Sequence, residues 1–273
     1  MGIIADFHMH SHNSEDSEES MEAMILRGIE LGFKSMCFTE HQDIDFHDPH
    51  IRDNAFSLNT DSYLYELLGL REKYKDQINV LFGVEIGMQP HLRKELALYA
   101  KAYEFDYIIG SVHLIGGRDP YYEDYYEGKT DEEVYREFFV ETMKNLKIFS
   151  NFDVLGHLDY IVRYGRTKDR DYSYDKYKDV IDPILEWLVE HEKGLELNTK
   201  GGKFGMKDFN PCKDIVKKYR ELGGEIITIG SDAHKAEEMG RDFDEAVRSL
   251  KECGFDYYTT FEKRTPEFHK IVL

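Results

Sequence analysis

The chain has few cysteines, and they fall far apart. Among 273 residues only Cys37, Cys212 and Cys253 are present. Their spacing matches no zinc-ligand or redox motif, and an odd number is typical of reduced thiols in a reducing compartment. We therefore interpret all three as small buried apolar residues without a role in the chemistry.

Long apolar stretches are also missing. No uninterrupted apolar run approaches the ~20 residues that a membrane-spanning helix needs. The first six residues, MGIIAD, lack the basic start and the long apolar run of a signal peptide. The sequence therefore predicts a cytoplasmic protein that does not bind membranes.

Basic charge is scarce as well. Asp and Glu number 54 against 35 Lys and Arg, which gives a net charge of −19. Proteins that bind nucleic acids owe much of their affinity to basic residues that neutralise phosphates, so this balance argues against a nucleic-acid partner. The excess of carboxylates either keeps the protein soluble or holds cations, and only the placement of individual residues distinguishes the two.

What the sequence does contain is a series of short apolar runs separated by segments of helical spacing. The runs are rich in Ile, Val and Phe, as are strands buried on both faces of a parallel sheet. They cover residues 3–7, 35–38, 80–84, 107–109, 152–155, 195–197 and 226–229. The helical segments cover residues 21–31, 63–73, 92–103, 131–150, 177–191, 210–222 and 236–253. This alternation predicts an α/β fold with a parallel sheet, and without a linker or repeat we expect one domain over residues 1–273.

Two connections, 41–62 and 113–130, are long for a compact domain. Loops of this length are uncommon unless they act as lids or binding loops, although a tolerated surface excursion is the alternative. The second loop is rich in tyrosine and acidic residues between positions 121 and 127. Such a segment could receive a cationic amine or imidazole through aromatic and carboxylate contacts.

The apolar runs end in residues that bind metals. His8 and His10 follow the first run and, being two apart, point to the same side of a strand; Asp232 and His234 repeat this arrangement after the last run. The carboxyl ends of parallel strands share one edge, and a barrel brings them to one central point, whereas an open sheet spreads them along a line. We therefore favour a barrel with its site at the carboxyl ends of the strands.

The strands between these two supply further donors: His41, Glu85, His113 and His157. Imidazoles and carboxylates suit Zn²⁺, Fe²⁺ or Mn²⁺. The donors exceed what one tetrahedral ion needs, and a carboxylate such as Glu85 can bridge two ions. One such histidine alone would more often be an ordinary core or surface residue, but their shared placement predicts a multinuclear metal site.

This pattern resembles the PHP (polymerase and histidinol phosphatase) superfamily, whose four motifs are matched over nearly the whole chain. The resemblance implies a distorted (β/α)7, TIM-like barrel with three divalent metal ions (Zn, Fe or Mn) at the carboxyl ends of the strands. The implied ligands are His8, His10, Glu85 and Asp232 for one ion, Glu85, His113 and His157 for a second, and Asp16, His41 and His234 for a third. Asp16 lies eight residues after His8, where some relatives have histidine and others a carboxylate.

Within the superfamily the chain resembles most the histidinol-phosphate phosphatases of the HisK type. It shares their length, their two long loops and the segment Gly156-His157-Leu158-Asp159 followed by a basic residue, here Arg163. The resemblance implies hydrolysis of L-histidinol phosphate to L-histidinol and phosphate in histidine biosynthesis. The alternatives are a related phosphoesterase acting on a nucleotide, a phosphotyrosine peptide or a nucleic-acid 3′ end, and a catalytically idle metal-binding domain.

A mechanism follows from this ligand set. Two ions that share Glu85 could lower the pKa of a shared water and generate hydroxide for in-line attack on phosphorus. We predict Glu85, Asp232 and His234 as the catalytic residues. The leaving alkoxide needs a proton or a cation, and the candidates for the proton donor are a metal-held water, or Asp232 or His234 acting together with one.

Three further residues are predicted to bind the substrate. Arg163 follows the fifth strand and could hold phosphate oxygens bidentately. Lys203 follows the sixth strand and would act as a point charge. His12 lies in the first loop, beside the proposed ions. The alternative for Arg163 and Lys203 is that they are ordinary charged residues of the protein surface.

Overall fold

Seven parallel strands form one sheet in chain order in the computed structural model, which describes residues 3–272. Met1, Gly2 and Leu273, the ends of the predicted domain 1–273, lie outside the described residues. The strands are β1 (Ala5–Asp6), β2 (Ser35–Gln42), β3 (Asn79–Gly87), β4 (Tyr107–Ser111), β5 (Val154–Leu155), β6 (Gly194–Asn198) and β7 (Ile227–Gly230). The first and last strands meet, because Phe7 N donates to Ile229 O and Asp232 N donates to His8 O. The predicted distorted (β/α)7 barrel is confirmed.

Seven α-helices alternate with these strands and cover the sheet. They are α1 (Met21–Glu30), α2 (Thr60–Tyr74), α3 (Arg93–Ala102), α4 (Asp131–Ile148), α5 (Tyr174–Glu190), α6 (Lys213–Glu221) and α7 (Phe243–Glu252). Local sequence sets where they begin: Ser20 accepts from the backbone of Ala23 to start α1, and Thr130 and Glu133 form a capping box at α4. Within residues 3–272, no helix is both long and apolar enough to cross a membrane.

Strands β2 and β3 run further than the apolar pattern predicts, to Gln42 and Gly87 rather than to residues 38 and 84. Their ladder continues through polar residues, and His41 pairs with Glu85. Polar side chains can continue a buried strand here because they find partners inside the barrel. The predicted helix 236–253 is wrong at its start, since α7 begins at Phe243 after Asp242, whose backbone is left-handed with φ 57°.

A hairpin closes the barrel at the amino ends of its strands. It consists of β8 (Tyr257–Glu262) and β9 (Thr265–Lys270), which lie beyond the last predicted strand–helix unit. Phe261 stacks on Tyr107 with ring centroids 5.2 Å apart, and Arg264 bonds to Asp153, just ahead of β5. The hairpin therefore fills the end of the barrel opposite the predicted site.

The three cysteines are free thiols. Cys37 and Cys253 are buried, as expected, whereas Cys212 is partly exposed at the residue preceding α6. The interpretation of all three as buried is therefore wrong for Cys212, which is only partly buried.

Candidate metal centre

The structure brings the nine predicted metal ligands together at the carboxyl ends of the strands. His8, His10, Glu85 and Asp232 are at most 3% exposed. Asp232 is held there by a left-handed backbone with φ 51°, an uncommon conformation that Asp tolerates better than most residues. Every one of the nine lies within 3.6 Å of another member of the set; the others are Asp16, His41, His113, His157 and His234.

The carboxylate of Glu85 is the centre of this cluster. Its Oε1 lies 2.8 Å from His157 Nε2 and 3.2 Å from His113 Nε2. Its Oε2 lies 3.0 Å from His41 Nδ1, 3.2 Å from His8 Nε2 and 3.6 Å from His10 Nε2. Burial alone would raise the pKa of Glu85, but the surrounding histidines hold it well below its usual range. Glu85 is therefore a charged carboxylate with imidazole nitrogens against both oxygens.

The donor atoms form overlapping groups in which all members lie within 4.8 Å of one another. The groups are His8, Glu85 and His157; His8, His10 and Asp232; His41, Glu85 and His113; and His10, His41 and His234.

The ring of His10 shows that this set suits a cation. Its Nε2 is buried and has no hydrogen-bond partner among the described residues, although oxygens of Glu85 and Asp232 lie 3.6 Å away. Burial, together with the nearby rings of His41 and His234, lowers the pKa of His10 well below its usual value. A neutral imidazole with an unpaired buried nitrogen is costly alone and is a good metal ligand. The residues present therefore fit divalent metal ions.

Acidic groups behind the cluster orient its rings. His8 Nδ1 donates to Glu196 at 2.5 Å, and His113 Nδ1 donates to Asp43 at 2.8 Å. Such partners fix the tautomer so that Nε2 presents its lone pair to an ion. The sequence predicted a role for neither Glu196 nor Asp43. Asp43 could have been found, because it follows His41 by two residues, the same spacing as His8 and His10.

Asp16, which the family resemblance implied as a ligand, faces the cluster. Its Oδ2 lies 2.9 Å from His234 Nε2 and 3.6 Å from His41 Nε2. The adjacent Glu15 instead pairs with Arg52 on the surface. The loop after β1 therefore presents Asp16, and not its neighbour, to the histidines.

A cavity of about 470 Å³ opens above the cluster, and two basic residues line it, Arg163 and Lys200. Arg163 is only 2% exposed, and its three guanidinium nitrogens donate to Asn210, Asp232 and Asn198. The hydrogen-bond donors of Arg163 are therefore already used by other residues of the protein, including Asp232. Lys200 Nζ lies 2.8 Å from Asp232 Oδ1 and 3.0 Å from His234 Nδ1.

The structure places the other two predicted substrate-binding residues outside this cavity. Lys203 pairs with Glu238, and its side chain is 42% exposed. His12 Nε2 lies 3.3 Å from Glu66, and its side chain is 46% exposed. The sequence favoured Lys203 and did not predict Lys200, which lies two residues after the end of β6 in the short 3-10 helix Thr199–Phe204.

Gly230, at the end of β7, leaves the space that His8 occupies. A Cβ at this position would lie 2.3 Å from His8 Cβ and 2.6 Å from Glu196 Oε1. We expect Gly230→Ala to displace His8 and to weaken metal binding by about 10- to 100-fold, the usual effect of disturbing the groups that orient a ligand. Metal affinity, measured by titration of the metal-free protein, tests this.

Gly69→Ala is the matched control for that substitution. Gly69 lies inside α2, where an added Cβ meets no atom within 4 Å. Alanine there should leave metal affinity unchanged and favour the helix. Equal metal affinity in the two variants would show that Gly230 does not set the position of His8.

A barrel with a buried histidine–carboxylate cluster at the carboxyl ends of its strands defines a metal-dependent barrel enzyme. The family model described as "PHP domain" matches residues 6–200, which is 195 of 273 residues. The chain belongs to the PHP domain family, as predicted.

Curated relatives and a solved structure agree with this assignment. The histidinol-phosphatase of Lactococcus lactis is 34% identical over 94% of this chain and 93% of its own length. A probable histidinol-phosphatase of Clostridium acetobutylicum is 32% identical over 97% of this chain and 100% of its own. A crystal structure of histidinol phosphate phosphatase (HisK) from Lactococcus lactis, complexed with zinc, L-histidinol and phosphate, superposes with a TM-score of 0.86 at 32% identity over 96% of this chain and 98% of that one. The predicted likeness to the HisK type is confirmed.

Proposed function

We propose that this protein is a metal-dependent phosphomonoesterase that hydrolyses L-histidinol phosphate to L-histidinol and phosphate in histidine biosynthesis. The observation that carries the proposal is the cavity whose inner end joins the Glu85 cluster to the cation Lys200. Relatives over 30% identical along nearly the whole chain bear the name histidinol-phosphatase. Their agreement with the site favours this substrate over a nucleotide, a phosphotyrosine peptide or a nucleic-acid 3′ end.

The ligand set supports a site for three divalent ions of Zn, Fe or Mn. His8, His10, Glu85 and Asp232 would hold one, Glu85, His113 and His157 a second, and Asp16, His41 and His234 a third. His8, His10 and Asp232 lie close together, Glu85 contacts both His113 and His157, and Asp16 contacts both His41 and His234. His41 also lies within reach of Glu85 and His113, and His10 lies within reach of His41 and His234. When bound, the ions would supply Lewis acidity that neutralises the phosphoryl oxygens and lowers the pKa of water.

The side chains around this site would have separate roles. Lys200 carries a positive charge at the inner end of the cavity, where it would hold a phosphoryl oxygen. Burial alone would raise the pKa of Asp232, but Lys200, His8 and Arg163 hold it well below its usual range. An ionised Asp232 suits a metal ligand and does not suit a donor of the proton that the leaving alkoxide needs. Arg163 fixes the orientation of that carboxylate.

We also infer that residues 1–273 act as a single unit. The ligands Asp232 and His234 lie beyond residues 6–200, which match the family model, and they complete the same cluster. Three free thiols fit a reducing compartment, which supports the cytoplasm as the place of action.

Phosphate release from L-histidinol phosphate tests the proposed function. We expect turnover in the metal-loaded protein, its loss after chelation and its return when Zn²⁺, Mn²⁺ or Fe²⁺ is added back. Elemental analysis of the same sample gives the number and identity of the ions. Full activity in metal-depleted protein would contradict the metal requirement.

A substrate panel separates the proposed function from its alternatives. Histidinol phosphate, AMP, a phosphotyrosine peptide and single-stranded DNA are compared at equal concentration. We expect histidinol phosphate to give the highest kcat/KM by a wide margin. Preference for another member would reassign the substrate, and a metal-replete protein that is inert on all four would point to an idle binding domain.

A further inference from the structure

The cavity above the metal centre is lined by side chains of both charges. Lys200 lies beside Asp232 and His234, whereas Asp43 and Asp119, which belong to the two long loops, lie near His113. Aromatic side chains form walls of the same cavity: Phe46, Phe56, Tyr160 and Tyr164. A ligand that fills this cavity would thus place an anionic group near Lys200 and a cationic group near the two aspartates.

Asp119 is held in place by both long loops. Its Oδ1 accepts from the backbone N–H of Tyr121 at 2.8 Å, and its own backbone N–H donates to Asp48 Oδ2 at 3.1 Å. Asp48 is 5% exposed and also accepts from the backbone and ring of His50, which stacks on Tyr122 with centroids 4.1 Å apart. The loops 41–62 and 113–130 therefore meet around Asp119 and fix its direction.

Within residues 3–272, no lysine or arginine side chain pairs with either aspartate, and the Asp43 carboxylate pairs only with the ring of His113. Burial raises the pKa of Asp119 to about 6, and the neighbouring Asp48 and Asp43 raise it further against the opposing effect of the Tyr121 amide and His113. Asp43 is 3% exposed, and its Oδ2 has no hydrogen-bond partner among the described residues, since only Oδ1 is used by His113. An unpaired buried carboxylate oxygen is costly, and a bound hydrogen-bond donor would remove that cost.

We propose that Asp119 is a specificity-determining residue that accepts a hydrogen bond from the protonated primary amine of the substrate, with Asp43 facing the same amine. An ammonium group has three donors and no acceptor, which suits two converging carboxylates. The flat heteroaromatic ring of an amino-alcohol phosphate would lie against the aromatic walls. This inference rests on the proposed function, and it predicts selection of substrates by an amine several bonds away from the reacting phosphate.

Asp119→Asn tests the proposal with little change in shape, because the asparagine carbonyl can still accept from Tyr121. The wild type and the variant are compared on L-histidinol phosphate and on 3-(imidazol-4-yl)propyl phosphate, which lacks only the amine. We expect the variant to lose about 10- to 100-fold in kcat/KM on histidinol phosphate, the range of a charge-assisted hydrogen bond, mostly through KM. On the amine-free substrate it should match the wild type within about twofold, since no such bond is lost.

Asp53→Asn is the matched control, because Asp53 lies in the same pair of loops with a side chain that is 77% exposed. It should behave as the wild type on both substrates. An equal loss on both substrates in Asp119→Asn would reduce Asp119 to a loop-positioning role, and no loss on either would also overturn the proposal. Failure of the proposed function would appear separately, as a wild type that releases phosphate from neither compound.

Discussion

Replacing Glu85 with glutamine is expected to lower phosphate release by about 10³-fold or more, since electrostatic groups at a reacting centre contribute effects of this order. Glutamine keeps the shape but removes the charge that faces His8, His10, His41 and the histidines of β4 and β5. It also turns N–H donors toward nitrogens that should bind cations. The measurement is kcat/KM on L-histidinol phosphate together with the metal content of the purified variant.

Glu190→Gln makes the same chemical change at an exposed position at the end of α5. It should retain full activity and full metal content. In the same series, His157→Ala should cost far more rate than His191→Ala, because His157 is buried against Glu85 and His191 is exposed. A Glu85→Gln variant with normal metal content and near-normal rate would show that the Glu85 carboxylate is not needed to hold metal ions.

Replacing Arg163 with methionine is expected to lower the free energy of unfolding by about 3–5 kcal/mol, the usual cost of removing one partner from a buried ion pair. Methionine is similar in length, but it leaves Asp232, Asn198 and Asn210 without the donors that Arg163 supplies. Denaturant unfolding of wild type and variant at equal metal loading measures the difference.

Arg93→Met is the control, because Arg93 is exposed in the first turn of α3 and should tolerate the change within about 0.5 kcal/mol. The experiment also separates the two interpretations of Arg163. If Arg163 binds the substrate phosphate directly, as the sequence suggested, the variant should keep its stability and lose affinity for phosphate. If Arg163 instead holds Asp232 in place, as the contacts indicate, the free energy of unfolding and the rate of phosphate release should fall together.

The sequence predicted that these histidines and carboxylates lie together because two rules of backbone geometry apply to most of them. Side chains alternate along a strand, and parallel strands place their carboxyl ends at one edge. His8 and His10 follow β1 and flank Met9, which pairs with Ala233. Asp232 and His234 lie beyond β7, and the backbone of Asp232 is left-handed, so their place follows from the shared edge and not from alternation. The loop residue Asp16 obeys neither rule and was placed through family resemblance; its contacts with His41 and His234 depend on how the loop after β1 folds.

The residues that line the cavity were harder to predict, because partner choice depends on tertiary contacts. Lys200 and Lys203 are three positions apart in one loop, yet one reaches Asp232 and the other pairs with Glu238. Asp119 lies just before the acidic, tyrosine-rich segment 121–127, and its backbone N–H donates to Asp48 of the other long loop beside the cavity. A single residue pattern carries no information about such contacts between distant loops.

The meeting of the first and last strands has a consequence for the lifetime of the protein. Few hydrogen bonds join β1 to β7, and His8 and His10 stand on one side of this junction with Asp232 and His234 on the other. An ion held by residues on both sides would link the segment after β1 to the segment after β7. Its binding free energy would then add to the stability of the folded state. Metal supply would then govern how often the barrel opens to proteases, and hence its abundance as well as its rate.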